Sequence, residues 1–207
     1  MDIISEFNEK LNYLNERALD FTQLMRILRE EYNLNKKCLL YADFENYFNT
    51  IFSYLYNHAI IEAYKFFDNG SDCISIDKIK DFAHIHFDTI FPSQHDASQW
   101  SFEHSLSSRE ELFSAIKTIR NQIKDTIIKI KDIRNKSGLA HGQPIDYTKT
   151  IPFKELELVE TCLQDIINIF NERFKNTRFA FTEYIIHYNS LKDLQSIYEA
   201  KVGAKCN

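Results

Sequence analysis

Two residues near the middle of the chain have the chemistry of phosphoryl transfer. Arg134 and His141 stand seven positions apart in Ile133-Arg134-Asn135-Lys136-Ser137-Gly138-Leu139-Ala140-His141-Gly142-Gln143-Pro144. A histidine exchanges a proton near neutral pH, so it can take one from a ribose 2'-hydroxyl or give one to a leaving oxygen. An arginine can hold two phosphate oxygens at once and offset the charge that builds in the transition state. Asn135 can orient either partner. On an unbroken helix seven residues turn through 700°, which returns both side chains to one face about 10.5 Å apart, and Gly138 can bend the chain and shorten that distance.

The segment before this pair is a basic helix in an acidic protein. From Lys117 to Lys136 there are seven basic residues (Lys117, Arg120, Lys124, Lys129, Lys131, Arg134, Lys136) against Asp125 and Asp132, a balance of +5, while the whole chain carries -5. The remainder is therefore -10, and any polyanion site has to be local. Ile116, Ile119, Ile123, Ile127 and Ile130 form one stripe, and Arg134 continues it. Lys117, Lys124 and Lys131 recur every seven residues, and Lys117, Arg120, Lys124 and Lys131 line one flank of the stripe. Two readings fit these residues. They are a solvated lysine edge with an arginine snorkelling near the helix C-terminus, or an edge that binds a nucleic-acid backbone with Lys136 at its end.

The elements that position these groups are helical. The 207 residues hold only 4 Gly and 3 Pro, with 44% apolar and 27% charged residues, a composition without the turn formers that an all-β chain of this length needs. The expected fold is an all-α bundle of five or six helices in one domain spanning 1–207. Helix spacing runs from Ile3 to about Tyr32 through Phe7, Leu11, Leu14, Ala18, Phe21, Met25 and Leu28. A second helix, with Asp43 as its cap, runs to about Phe67, with Phe44, Tyr47, Phe48, Ile51, Leu55, His58, Ala59, Glu62 and Phe66 in register. It also carries Phe52, Tyr54, Tyr56 and Tyr64. Aromatic residues thus surround much of it, so more than one face meets protein, either as a central core helix or at a subunit interface.

Ser75 opens a third helix to about Phe87, and residues 91–108 make one long loop. Ser107 and Ser108 stand three residues before Glu110 and Glu111, a capping-box pattern that starts a fourth helix to about Lys136. Phe153 to about Tyr188 reads as one long helix or two with a kink, and Leu191 to Ala200 as a last short one. The start, MDIISEFNEK, lacks the basic and then apolar pattern of a signal peptide, so a soluble cytoplasmic protein without membrane contact is expected. The four scattered cysteines, Cys38, Cys73, Cys162 and Cys206, read as free thiols. His84, His86, His95, Asp96 and His104 show no recognised ligand spacing, so no metal or cofactor is expected.

The run R-N-K-S-G-L-A-H at the end of a long amphipathic helix in an all-α chain resembles the R-x(4-6)-H motif of HEPN domains, in which a polar residue follows the arginine as Asn135 does here. With the earlier Tyr64-Lys65-Phe66-Phe67-Asp68 and Ser75-Ile76-Asp77-Lys78-Ile79, the chain looks most like the HEPN-like abortive-infection proteins of bacteria. It departs from related patterns in having Gly142, Gln143 and Pro144 behind the histidine, with Asp146 the first carboxylate. The resemblance implies a homodimeric, metal-independent endoribonuclease, acting as a toxin or in antiviral defence, with Arg134, His141 and Asn135 in a cleft shared by two subunits. It also implies an RNA substrate and a neutralising antitoxin or a defence partner. The alternative from a different class is a non-catalytic module of this kind that binds RNA, a nucleotide or a protein.

Overall fold

The computed structural model describes residues 2–32, 39–70, 73–91, 100–136, 151–181 and 190–203. All regular structure among them is helical: α1 (Ile3–Tyr32), α2 (Leu39–Asp43), α3 (Glu45–Lys65), α4 (Ile76–Ile85), α5 (Phe87–Ile90), α6 (Arg109–Gln122), α7 (Lys124–Lys136), α8 (Phe153–Lys175) and α9 (Ser190–Gly203). The protein is an all-α bundle. No described helix is long and apolar enough to cross a membrane.

The seven-residue stripe on α1 is buried along its whole length, from Phe7 to Leu28. It packs against α8, which is apolar around most of its circumference, and against α3. At one end of the bundle Phe7 meets Phe91, Phe170 and Phe174 edge to face, at centroid distances of 5.5, 6.0 and 5.0 Å. Polar pairs fix the α1–α8 register. Asn15 and Asn171 exchange side-chain hydrogen bonds, and Arg29 donates to Glu157 and Glu160 at 2.8 and 2.7 Å. A smaller cluster joins α2, the start of α3 and α9 through Leu40, Tyr41, Phe48 and Tyr198.

The structure has more helices than the sequence suggests, and the breaks at Phe44 and Ile123 have local causes. Asp43 ends α2 instead of capping α3. The Phe44 N–H bonds back to the carbonyls of Leu40 and Tyr41, and the Asp43 carboxylate accepts the Tyr198 hydroxyl at 2.6 Å. Ser75 and Ser108 cap α4 and α6 as their spacing predicts, Ser108 in a full capping box with Glu111. The expected fourth helix divides into α6 and α7 at Ile123, whose N–H reaches the Arg120 carbonyl three residues back. Ile116, Ile123 and Ile130 are all buried at seven-residue spacing. A straight α-helix drifts about 20° per seven residues, and one tightened turn offsets that drift. α8 stops at Asn176, whose φ of 48° and ψ of 43° are left-handed, a conformation asparagine tolerates better than most residues. The end of the expected 153–188 helix falls partly outside the described residues.

The long loop is described from Trp100 onward, where it is held closely. Arg173 is 6% exposed and donates to the carbonyls of Ser107, Ser105 and Phe91, lying also over the rings of Phe87 and Phe91. Burial lowers its pKa from the usual guanidinium range. Asn176 accepts from the Ser101 N–H and the Ser105 hydroxyl, and Glu172 accepts from the His104 N–H. Two residues at the end of α8 and its cap thus gather both ends of the loop.

Candidate functional site

α7 is placed on three sides. On its inner face, Ile123 and Ile130 of the isoleucine stripe are buried against the core with Ile133, which the stripe does not include, while Ile127 of the stripe is half-buried. Its flank is tied to the start of α8, where Glu155 accepts from Thr126 at 3.0 Å and from Lys129 at 2.8 Å. The Lys129 ammonium, hydrogen-bonded to Glu155, holds that carboxylate below its ordinary range. The third side rests on α3.

There Arg134, half-buried on the last turns of α7, lies over the buried Tyr64 ring with its guanidinium carbon 4.3 Å from the centroid. The Tyr64 hydroxyl donates to Asp68 at 3.4 Å. A guanidinium stacked on a ring face keeps its in-plane N–H groups available to an anion. Among the described residues no carboxylate pairs with Arg134. Asn135 is exposed beside it. His141 and the side chain of Lys136 lie outside the described residues, as do Gly138 and Asp146.

The basic residues divide between two environments. Arg120 donates to Asp77, 8% exposed at the start of α4, at 2.6 Å, and Lys80 approaches the same carboxylate at 3.6 Å. Arg120 therefore has a structural task, joining α6 to α4. Lys117 and Lys124 are exposed on the lip of a groove of about 620 Å³ between α4 and α6–α7. Its walls include His84, Phe113, Ile116, Ile127 and the half-exposed Ile128. Lys131 is exposed farther along α7, beyond this groove. Sequence periodicity marks the lysine edge, whereas the Asp77 partner of Arg120, 43 positions away in sequence, leaves no mark in local spacing.

Other histidines are accounted for individually. His84 packs against Phe113 at 5.0 Å and His86 against Phe82 at 4.8 Å. His58 is exposed on α3 near Tyr13, Arg17 and Glu62. His95, Asp96 and His187 lie outside the described residues. Among the described residues no group of three histidine, cysteine or carboxylate side chains could hold a metal ion. Cys73 and Cys162 are free thiols, and burial pushes the Cys162 thiol up to about 11.

Comparisons of the chain with protein-family models, with curated proteins and with solved structures return no match.

Proposed function

We propose that the protein is a metal-independent endoribonuclease of the HEPN type, a bacterial toxin or defence effector working in the cytoplasm as a homodimer. The observation that carries this reading is the setting of Arg134. It is half-buried at the end of an amphipathic helix and seated on an aromatic ring, its donors not committed to any described carboxylate, seven residues before a histidine.

In the proposed reaction His141 takes the proton of a ribose 2'-hydroxyl, and the freed oxygen attacks the adjacent phosphorus. The bond from phosphorus to the 5'-oxygen breaks, leaving a 2',3'-cyclic phosphate. The 5'-oxygen leaves with a proton supplied by a protonated histidine. Arg134 binds the non-bridging oxygens as their charge rises, and Asn135 orients Arg134 or His141 by hydrogen bonding. A two-fold axis brings Arg134 and His141 of two subunits to one cleft, as the resemblance implies. Lys117, Lys124 and Lys131, with Lys136, form the backbone-binding edge, while Arg120, held at 2.6 Å by Asp77, keeps its structural task.

A second reading is favoured by a different aspect of the same contact. Stacking on Tyr64 also gives Arg134 a packing role, which suits a non-catalytic module that binds RNA, a nucleotide or a protein. Growth on overexpression separates the two. The nuclease arrests growth while its His141→Ala form does not, whereas a binding module shows no difference between them. A neutralising antitoxin or a defence partner is then sought by rescue of growth.

A further inference from the structure

The groove between α4 and α6–α7 spans the break at Ile123. Its walls are apolar and aromatic, formed by Phe113, Ile116, Ile127 and Ile128, with the His84 ring leaning on Phe113 at a centroid distance of 5.0 Å and a tilt of 51°. His84 is exposed, and Ile128 is 53% exposed. The volume of about 620 Å³ falls within the roughly 300 to 1,000 Å³ of sites that bury a ligand of a nucleotide's size.

The charged side chains around the groove leave an excess of positive charge. Asp81 pairs with Lys80 at 3.3 Å, Arg120 pairs with Asp77 at 2.6 Å, and Lys80 also lies 3.6 Å from Asp77. Those two cations and two carboxylates offset one another. Lys117 and Lys124, exposed on the lip, have no carboxylate partner among the described residues, and the amide of Asn121, exposed between them, has no hydrogen-bond partner there. Two uncommitted ammonium groups thus stand over an aromatic and aliphatic wall. The complementary ligand is an anion attached to a flat, weakly polar group.

The lysine row continues past the groove. Lys131 is exposed and likewise without a carboxylate partner among the described residues. Lys117 to Lys131 covers about 21 Å along the helices, longer than one nucleotide, and Lys124 precedes Arg134 by about 15 Å along α7. A chain of phosphates fits this row better than a single one.

We propose that the groove takes one unpaired nucleotide of an RNA strand, its base lying flat against His84 and Ile128 and its flanking phosphates meeting Lys117 and Lys124. Unpaired bases can be splayed onto aromatic side chains and hydrogen-bonded at their edges, and Asn121 offers both a donor and an acceptor for such an edge. A base inside a duplex is already stacked and paired. The proposal rests on RNA being the ligand, and it deepens the nuclease reading by making the substrate single-stranded a few nucleotides from the bond that is cut.

The test is binding in EDTA of 2'-O-methyl oligonucleotides, which lack the attacking hydroxyl and stay intact, read by fluorescence anisotropy. The full wild-type chain should bind the single strand about tenfold tighter than the same sequence in a duplex, the effect of one base stack. Lysines alone would favour the denser charge of the duplex. His84→Ala/Ile128→Ala should erase the preference and leave the duplex affinity and the salt slope as they are, with the melting temperature unchanged because both side chains are exposed. A wild type that binds neither form, or both alike, overturns the groove's role, as does a double variant that keeps the preference. Competition by adenosine monophosphate as effective as that of the strand overturns it too and assigns the groove to a free nucleotide. A chain that shows the preference without cleaving RNA keeps the groove and loses the nuclease reading, and one that cleaves without the preference does the reverse.

Discussion

The guanidinium carbon of Arg134 lies 4.3 Å from the centroid of the Tyr64 ring, so the arginine proposed to hold phosphate is positioned by a tyrosine seventy residues earlier. A cation over a ring at a partly exposed site contributes about 0.5 to 1 kcal/mol. Tyr64→Leu keeps the apolar bulk and removes the electrostatic seat. Denaturant unfolding should show a loss of about 1 kcal/mol, and cleavage should fall at least tenfold while RNA binding through the lysines persists. Arg134→Ala should cost no more than about 1 kcal/mol yet abolish cleavage. A larger stability loss from Arg134→Ala, with activity retained in the folded fraction, marks the arginine as structural.

Arg173 is a structural arginine of a different kind. It sits 6% exposed and satisfies three backbone carbonyls, those of Phe91, Ser105 and Ser107. Arg173→Met fills similar space but leaves those acceptors without their donor. Each hydrogen bond from a charged donor is worth about 1.5 to 3 kcal/mol. Urea unfolding should therefore show a loss above about 3 kcal/mol, and proteolysis should open the chain first between residues 100 and 108.

Asn176 holds a left-handed backbone and accepts two hydrogen bonds from the same loop. Asn176→Gly keeps the backbone freedom and loses the acceptor, whereas Asn176→Asp keeps an acceptor at some conformational cost. Asn176→Ala loses both and should be the least stable of the three by melting temperature, with a deficit of about 1 to 2 kcal/mol against the wild type.

Much of this architecture is legible in the sequence because it is encoded by local spacing. The α1 stripe, the Ser75 and Ser108 caps and the isoleucine stripe through Ile130 each follow from residues within one or two turns. The second helix is harder to read. Its in-register set, from Phe44 through Phe66, mixes buried Phe48, Ala59 and Phe66 with exposed Tyr47 and His58. Two apolar faces on one helix blur the period that would separate them. Contacts between distant segments leave no periodic signal at all. Asp77 claims Arg120 across 43 residues, and Arg173 claims the loop carbonyls across 66 to 82. Arg134 and His141 are found by residue type and by resemblance, while the Tyr64 seat of Arg134 requires the packing of α3 on α7.

Salt dependence tests the lysine edge. Each phosphate contact removed reduces the slope of log affinity against log salt by roughly 0.7 for a single strand. Lys124→Ala/Lys131→Ala should therefore flatten it by about two contacts and weaken binding alike for RNAs of different sequence. An unchanged slope assigns these residues to a solvated face.

The Cys162 thiol, pushed up to about 11 by burial, sets a pH dependence. The unfolded chain ionises this thiol near its ordinary value of about 8.5, while the folded chain keeps the proton to higher pH. The stability it contributes is thus fully present below about 8.5 and is lost as pH rises through the folded value. Urea unfolding should show the wild type losing more stability than Cys162→Ala between pH 8.5 and 11. In the folded protein at pH 8, iodoacetamide should leave Cys162 unmodified.

The central claim is that Arg134 and His141 cleave RNA without metal, and incubation with total cellular RNA in EDTA tests it most directly, followed by end-group analysis. The wild type should generate 2',3'-cyclic phosphates, Arg134→Ala and His141→Ala should each be inactive, and the double variant should be scarcely worse than either, as expected for residues acting as one unit. Undiminished cleavage by both single variants, or strict dependence on added metal, would contradict it.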